Sequence, residues 1–258
     1  HQSGRRQRQM CIRDRHIDTM FFSVLLGGLF LFIFARAAQN FSLDKPTKLQ
    51  LFIEMMIDFI NGVVKGTFKA AQNSLIAPMA LTIFFWVLLM NVMDLVPVDL
   101  IPYPAELLGV PYLKVVPTTD LNLTAALALS VFVLYLFYSI KSKGFVGFIK
   151  SISLHPFGPW MLPANLFIEI IDLIAKPLSL ALRLYGNLYA GEMIFLLIAG
   201  MVSINLTSFM GLGLNLAGIT LSLIWAIFHI LIVVLQAFIF MMLTVVYMNM
   251  AHEKFEQH

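Results

Sequence analysis

The sequence predicts an all-α integral membrane protein of about five transmembrane helices plus one interfacial amphipathic helix, the last two spans being long, strongly tilted and antiparallel. Three observations predict it. Hydrophobic residues make up 60% of the 258 and charged residues only 12%, against roughly 25% charged in a soluble domain. Apolar runs that match the roughly 20 residues of a membrane helix alternate with short polar loops. Between Glu192 and Glu253 there is no Asp, Glu, Lys or Arg. Such a chain has no room for a soluble catalytic domain.

Residues 1–15 (HQSGRRQRQMCIRDR) carry five arginines, one aspartate and the only cysteine, Cys11. They lack the apolar stretch and cleavage site of a signal peptide. They read as a non-native or disordered leader before a single membrane domain, residues 16–258. Their contribution of +4 exceeds the formal net charge of +3, so the remaining chain, with 12 basic and 13 acidic side chains, stands at −1. One cysteine allows no disulfide within the chain.

The first span is read over Thr19–Ala35, closed by Arg36. KLQLFIEMMIDFINGVVKGTFK follows, with apolar residues near a 3.6 period and Lys48, Lys65 and Lys69 between them. That pattern suits a helix lying in the membrane interface, or one docked on a partner. Ile76–Met93 is uncharged and spans. A Pro-rich acidic loop leads to Asp120, and Leu121–Ile140 spans again, stopping at Lys141 and Lys143. After the HPFGPW loop, Pro163 is a plausible first helical residue. The chain is then apolar to about Gly200, turns through Ser203–Gly213, and is apolar again from about Leu214 to Met250. These two segments, the hairpin 162–251, would each be about 55 Å long as helix. The hydrocarbon core is about 30 Å thick, so both must tilt steeply. Beyond the leader, one side of the membrane holds Lys114 alone and the other holds nine Lys and Arg. The positive-inside rule makes the second side cytoplasmic and the N-terminus external.

Five polar residues inside the hairpin need an account: Arg183, Asn187, Glu192, His229 and Gln236. A charge at the bilayer centre costs about 2.5–3.5 kcal/mol even on lenient scales, which makes Arg183 a candidate step on an ion or proton path. Arg183 and Asn187 share a helix face, with Ser179 one turn earlier. In an antiparallel pair, residues at one depth have a constant index sum. The sums of 419 for Arg183 with Gln236 and 421 for Glu192 with His229 put each pair on one level. Nine residues turn a helix by about 180°, so Arg183 and Glu192 look in opposite directions. A Glu beside a His is a reasonable proton relay. Gln236 and Asn187 could equally be interhelical hydrogen-bond glue. Asp172 and Lys176 form an i, i+4 pair that can be merely stabilising. Asp94, Asp99, Asp120 and Asn122 could line an entrance or be solvated loop residues. No P-loop, metal-ligand cluster or nucleophile elbow occurs.

The blocks LIAPMALTIFFWVLLMNVMDLVPVDLIP, KPLSLALRLYGNLYAGEMIFLLIAG and WAIFHILIVVLQAFIFMMLTVVYMNMA resemble subunit a of the F-type ATP synthase in its proteobacterial form. The resemblance runs from His16 to near the C-terminus. It implies a non-catalytic stator subunit that offers two offset proton half-channels to a rotating c-ring. Arg183 then matches the arginine facing the rotor carboxylate, with Asn187 and Gln236 beside it. Glu192 and His229 match the outer half-channel, Ser179 and Glu169 the inner one, and Asp94, Asp99, Asp120 and Asn122 the outer entrance. The implied partners are the c-ring, the subunit b stalk, protons and membrane lipid, with no cofactor, metal or nucleic acid. The implied location is the bacterial inner membrane. A self-sufficient transporter or channel using Arg183, Glu192 and His229 is the rival class.

Overall fold

A computed structural model describes residues 17–43, 45–67, 75–96, 116–154, 159–201 and 209–252. Among them the regular elements are α1 (Ile17–Gln39), α2 (Lys48–Thr67), α3 (Ile76–Val92), α4 (Leu121–Leu154), α5 (Leu162–Met201) and α6 (Phe209–His252). Short 3-10 turns lie at Met93–Leu95, Pro117–Thr119 and Pro159–Met161. The leader, Asp99 and the centre of the α5–α6 turn lie outside the described residues.

Asp18 in the first turn of α1 and Arg36 in its last both oppose the helix dipole favourably. At Gly27 the missing side chain admits the Trp86 ring of α3, which an added Cβ would meet at 3.1 Å. The Trp86 indole N–H donates to the Ser23 carbonyl at 2.9 Å, fixing α1 on α3. Thr47 and Gln50 begin α2 as a capping pair: the Thr47 hydroxyl accepts the Gln50 backbone N–H at 3.2 Å. The Gln50 amide also donates to the Ser42 carbonyl at 3.1 Å and to Glu54 at 2.8 Å, which ties the α1–α2 loop to the helix. Ile53, Ile60 and Val64 are the buried apolar stripe of α2, and most of its remaining surface is exposed.

The core lies where α5 and α6 meet α3 and α4. Leu180, Leu184 and Leu188 form a stripe at four-residue spacing on α5, each at most 2% exposed. Val233, Ala237, Met241, Val245 and Met248 form the opposing stripe on α6, all fully buried. Ala80, Phe84, Val87 and Met90 of α3 close the cluster from the far side. The outward faces, such as Val24, Phe32, Leu197 and Leu216, are exposed apolar surface, as a bilayer requires.

Four segments are long and apolar enough to cross a membrane: Asp18–Gln39, Ile76–Leu95, Leu121–Ser153 and Met210–His252. The 40-residue α5 is as long and carries Glu169, Asp172, Lys176, Arg183 and Glu192. At about 60 Å and 66 Å, α5 and α6 exceed the hydrocarbon thickness twofold, so tilt is imposed by length alone. α5 continues through Pro177.

Two boundaries differ from the sequence reading. Residues 145–154, read as loop, are helical, because the chain does not stop at Lys143 but turns at Gly144 (φ 73°, ψ 159°) and resumes. α6 begins at Phe209 rather than near Leu214, so Gly211 and Gly213, read as turn residues, lie inside a helix. Glycine costs about 1 kcal/mol in a helix interior, which surrounding apolar residues readily outweigh.

The Gly144 conformation is open essentially to glycine alone, at a cost of about 1–3 kcal/mol for other residues. Gly144→Ala should therefore lower the thermal unfolding midpoint in detergent. Gly147→Ala, whose Cβ would meet only Lys143 Cβ at an ordinary 3.5 Å, should leave it unchanged or raise it.

Candidate functional site

The polar residues of the hairpin collect along the α5–α6 seam. An ideal Cβ on Gly191 would lie 2.5 Å from Cε1 and 2.7 Å from Nδ1 of His229, so only glycine lets α5 lie against the imidazole. The Trp225 indole N–H reaches the Gly191 carbonyl at 3.4 Å, and the Phe195 ring meets His229 edge-on at 5.6 Å. His229 is consequently 1% exposed. Its Nε2 lies 2.8 Å from Asp94 Oδ2. Asp94 stands on the 3-10 turn that follows α3.

This contact sets the chemistry of the ring. An ionised carboxylate only accepts, so whenever Asp94 is charged the hydrogen in the 2.8 Å contact belongs to Nε2. The buried Nδ1 has no hydrogen-bond partner among the described residues. It is left as the atom through which a proton could enter or leave. Asn91, one helical turn before Asp94, is fully buried with both side-chain polar atoms unpartnered among the described residues. Buried amides without partners are rare in proteins and call for a solvent molecule or another polar group.

About 6 Å further along α5, the Asn187 amide donates to Gln236 Oε1 at 2.7 Å. Gln236 is 3% exposed, whereas Asn187 presents an open flank. One more turn along, half-buried Arg183 reaches Ser179 Oγ at 3.4 Å. No carboxylate pairs with Arg183 among the described residues.

The sequence reading located the levels and misassigned the partners. Gly191, not Glu192, faces His229; one residue further turns Glu192 by about 100°, and its side chain is exposed. His229 takes Asp94 instead, a residue 135 positions away that no local spacing could have revealed. Gln236 is bonded by Asn187 rather than by Arg183. Asp120 and Asn122 differ in exposure. Asp120 is 6% exposed and caps α4 by accepting the Asn122 backbone N–H at 2.9 Å, with the Thr19 hydroxyl at 3.4 Å on its other oxygen. The Asn122 side chain is exposed, and Asp99 lies outside the described residues.

Toward the other end of α5, Glu169 is half-buried. Lys176 Nζ lies 2.7 Å from Asp172 Oδ2 and 4.9 Å from the centre of the Tyr135 ring. The described residues contain no group of three His, Cys, Asp or Glu side chains able to hold a metal.

Adding a methyl at Gly191 tests the seam directly. Gly191→Ala should push the imidazole off Asp94 and raise labelling of His229 by diethyl pyrocarbonate, read by peptide mass spectrometry. Unchanged labelling would show that the packing does not hold the ring.

The arrangement has close relatives. Residues 19–249 match the family model described as ATP synthase A chain. The chain is 58% identical to ATP synthase subunit a of Shewanella amazonensis over 239 residues, 92% of this chain and 88% of that protein. It is 57% identical, with the same coverage of both chains, to the subunits a of Shewanella baltica and Shewanella oneidensis. With nearly all of its helical residues and its whole polar seam inside that match, the chain belongs to the ATP synthase A chain family.

Proposed function

We propose that this chain is the proton-conducting stator subunit of a rotary ATP synthase, with Arg183 as its rotor-facing charge. The observation that carries the reading is an arginine in a membrane hairpin without a carboxylate partner among the described residues. A guanidinium so placed costs about 2.5–3.5 kcal/mol or more unless a counter-charge comes from outside the chain. A carboxylate on a neighbouring ring of c-type subunits supplies that counter-charge. The peripheral stalk (subunit b) would hold the stator against the rotor's torque.

The path follows from the order of groups along the seam. Protons enter from the external side at the end where Asp94 and His229 lie, with exposed Glu192 on the adjacent flank of α5. They neutralise a rotor carboxylate, and the ring turns. When that carboxylate returns to Arg183, the fixed positive charge favours its ionised form and the proton leaves toward the cytoplasmic side, past Ser179 and Glu169. Asn187 and Gln236, joined at 2.7 Å, fill the step between the two arms with neutral hydrogen-bonding groups. Arg183 thereby blocks a direct leak, so its removal is read by ATP-driven pumping and not by passive conduction. Each charge that crosses gains about 2.3 kcal/mol per 100 mV. The chain breaks no covalent bond in this cycle. It sits in the bacterial inner membrane with its N-terminus external and C-terminus cytoplasmic, the orientation favoured by the nine-to-one distribution of Lys and Arg beyond the leader.

Arg183→Ala should abolish ATP-driven acidification of inverted membrane vesicles, followed with a pH-gradient dye. Normal pumping by a fully assembled Arg183→Ala complex would sink the reading. Gln236→Leu leaves the Asn187 amide unpaired and should slow pumping severalfold without stopping it. An unchanged rate would return Gln236 to packing.

A further inference from the structure

A second charged group lies in the hairpin, away from the residues assigned above. Lys176 is two turns before Arg183 on the same face of α5 and is 8% exposed. A buried ammonium needs a compensating partner. It has two: Asp172 Oδ2 at 2.7 Å and the Tyr135 ring of α4 at 4.9 Å. A small cavity of about 10 Å³ adjoins the pair, lined by Tyr135, Lys176, Pro177, Leu180 and Tyr247 among others. Such a volume is at the lower limit for one water molecule. Lys176 is therefore clamped between α4 and α5. Asp172 is not, because its side chain is 52% exposed.

A structural ion pair needs no such asymmetry, with one charge sealed in the core and the other held at the surface. The lysine can only present the carboxylate, since it has no free approach of its own. Asp172 is 11 residues before Arg183, about 16 Å along the helix toward the cytoplasmic end. It is too far from the guanidinium to neutralise it. Glu169, one turn earlier, is the nearest acidic side chain on the same helix and has no hydrogen bond to a described residue.

We propose that Asp172 is a proton-accepting station on the inner arm of the path and that Lys176 is its positioning residue. This rests on the stator reading given above. The proton released by the rotor carboxyl beside Arg183 passes to water. An Asp172 carboxylate oxygen accepts it from that hydronium and then yields it to water on the cytoplasmic side. The ammonium of Lys176 keeps all its protons throughout, so the pair goes from neutral to +1 and back, and no bond other than O–H forms or breaks.

The test uses the assembled complex in inverted membrane vesicles, with passive proton conduction measured after removal of the soluble head and normalised to the amount of this subunit. Asp172→Asn keeps the shape and an oxygen for Lys176 and should reduce conduction at least threefold, while Asp172→Glu should retain more than half. Wild-type conduction by Asp172→Asn would overturn the proposal. Asp172→Cys in a Cys11→Ser background gives an independent reading should the asparagine variant fail to assemble. Iodoacetate restores a carboxylate there and iodoacetamide installs its neutral isostere. Severalfold faster conduction after iodoacetate supports the station, and equal rates overturn it. Arg183→Ala, assayed for ATP-driven pumping in vesicles that retain the soluble head, separates the two levels. Normal pumping by that variant defeats the stator reading itself, whereas silence at Asp172 with a defective Arg183→Ala defeats only the station.

Discussion

The site depends on how closely α5 lies on α6. The contact is made by a stripe of leucines that gives way to Gly191, set against alanine, valine and methionine on α6. Small and flexible side chains at a membrane helix interface allow the backbones to approach, and dispersion then replaces the hydrophobic effect as the cohesive force. Where the leucine stripe ends, the imidazole of His229 occupies the space that a side chain at position 191 would have filled. The same packing that holds the hairpin together thus seals a titratable ring inside it and aims that ring at Asp94.

The hairpin treats its charges in two different ways. His229 Nε2 with Asp94, and Lys176 with Asp172, are paired within the chain at 2.8 Å and 2.7 Å. Among the described residues Arg183 has a long hydrogen bond to Ser179 and no carboxylate partner. Breaking one partner of a buried pair is costly because the other charge is left behind. A cation without a carboxylate among the described residues creates the opposite demand, for a counter-charge from a neighbour. The contrast separates charges balanced within the chain from one whose counter-charge, in the proposed stator reading, comes from a neighbour.

Much of this was legible in the sequence, for physical reasons that differ by feature. Long apolar runs fixed the helices, since a bilayer tolerates little else, and the boundaries moved furthest where glycine permits either outcome, at Gly144 and at Gly211 and Gly213. Antiparallel geometry made depth legible as an index sum, and Gly191 with His229 falls on the same sum as the pairs inferred beforehand. Facing was harder. A displacement of one residue turns a side chain by about 100°, enough to exchange Glu192 for Gly191 at the ring. Contacts between distant segments, such as Asp94 with His229 or Lys176 with Tyr135, leave no local trace in composition or spacing.

The unbroken length of α6 has a consequence for timing. A helix of about 66 Å fits a slab of about 30 Å only when inclined by roughly 60° from the normal. Groups spaced along so shallow a ramp differ less in depth than in position around the rotor's circumference. The levels of His229 and Arg183, about 12 Å apart along the axis, are then offset by about 10 Å sideways and only about 6 Å vertically. A vertical helix would place entry and exit above one another and leave the ring no reason to turn. In the proposed reading an inclined one converts sequence separation into angular phase, so the number of residues between the two levels sets the short arc over which a rotor carboxylate is ionised, the rest of the turn being made neutral.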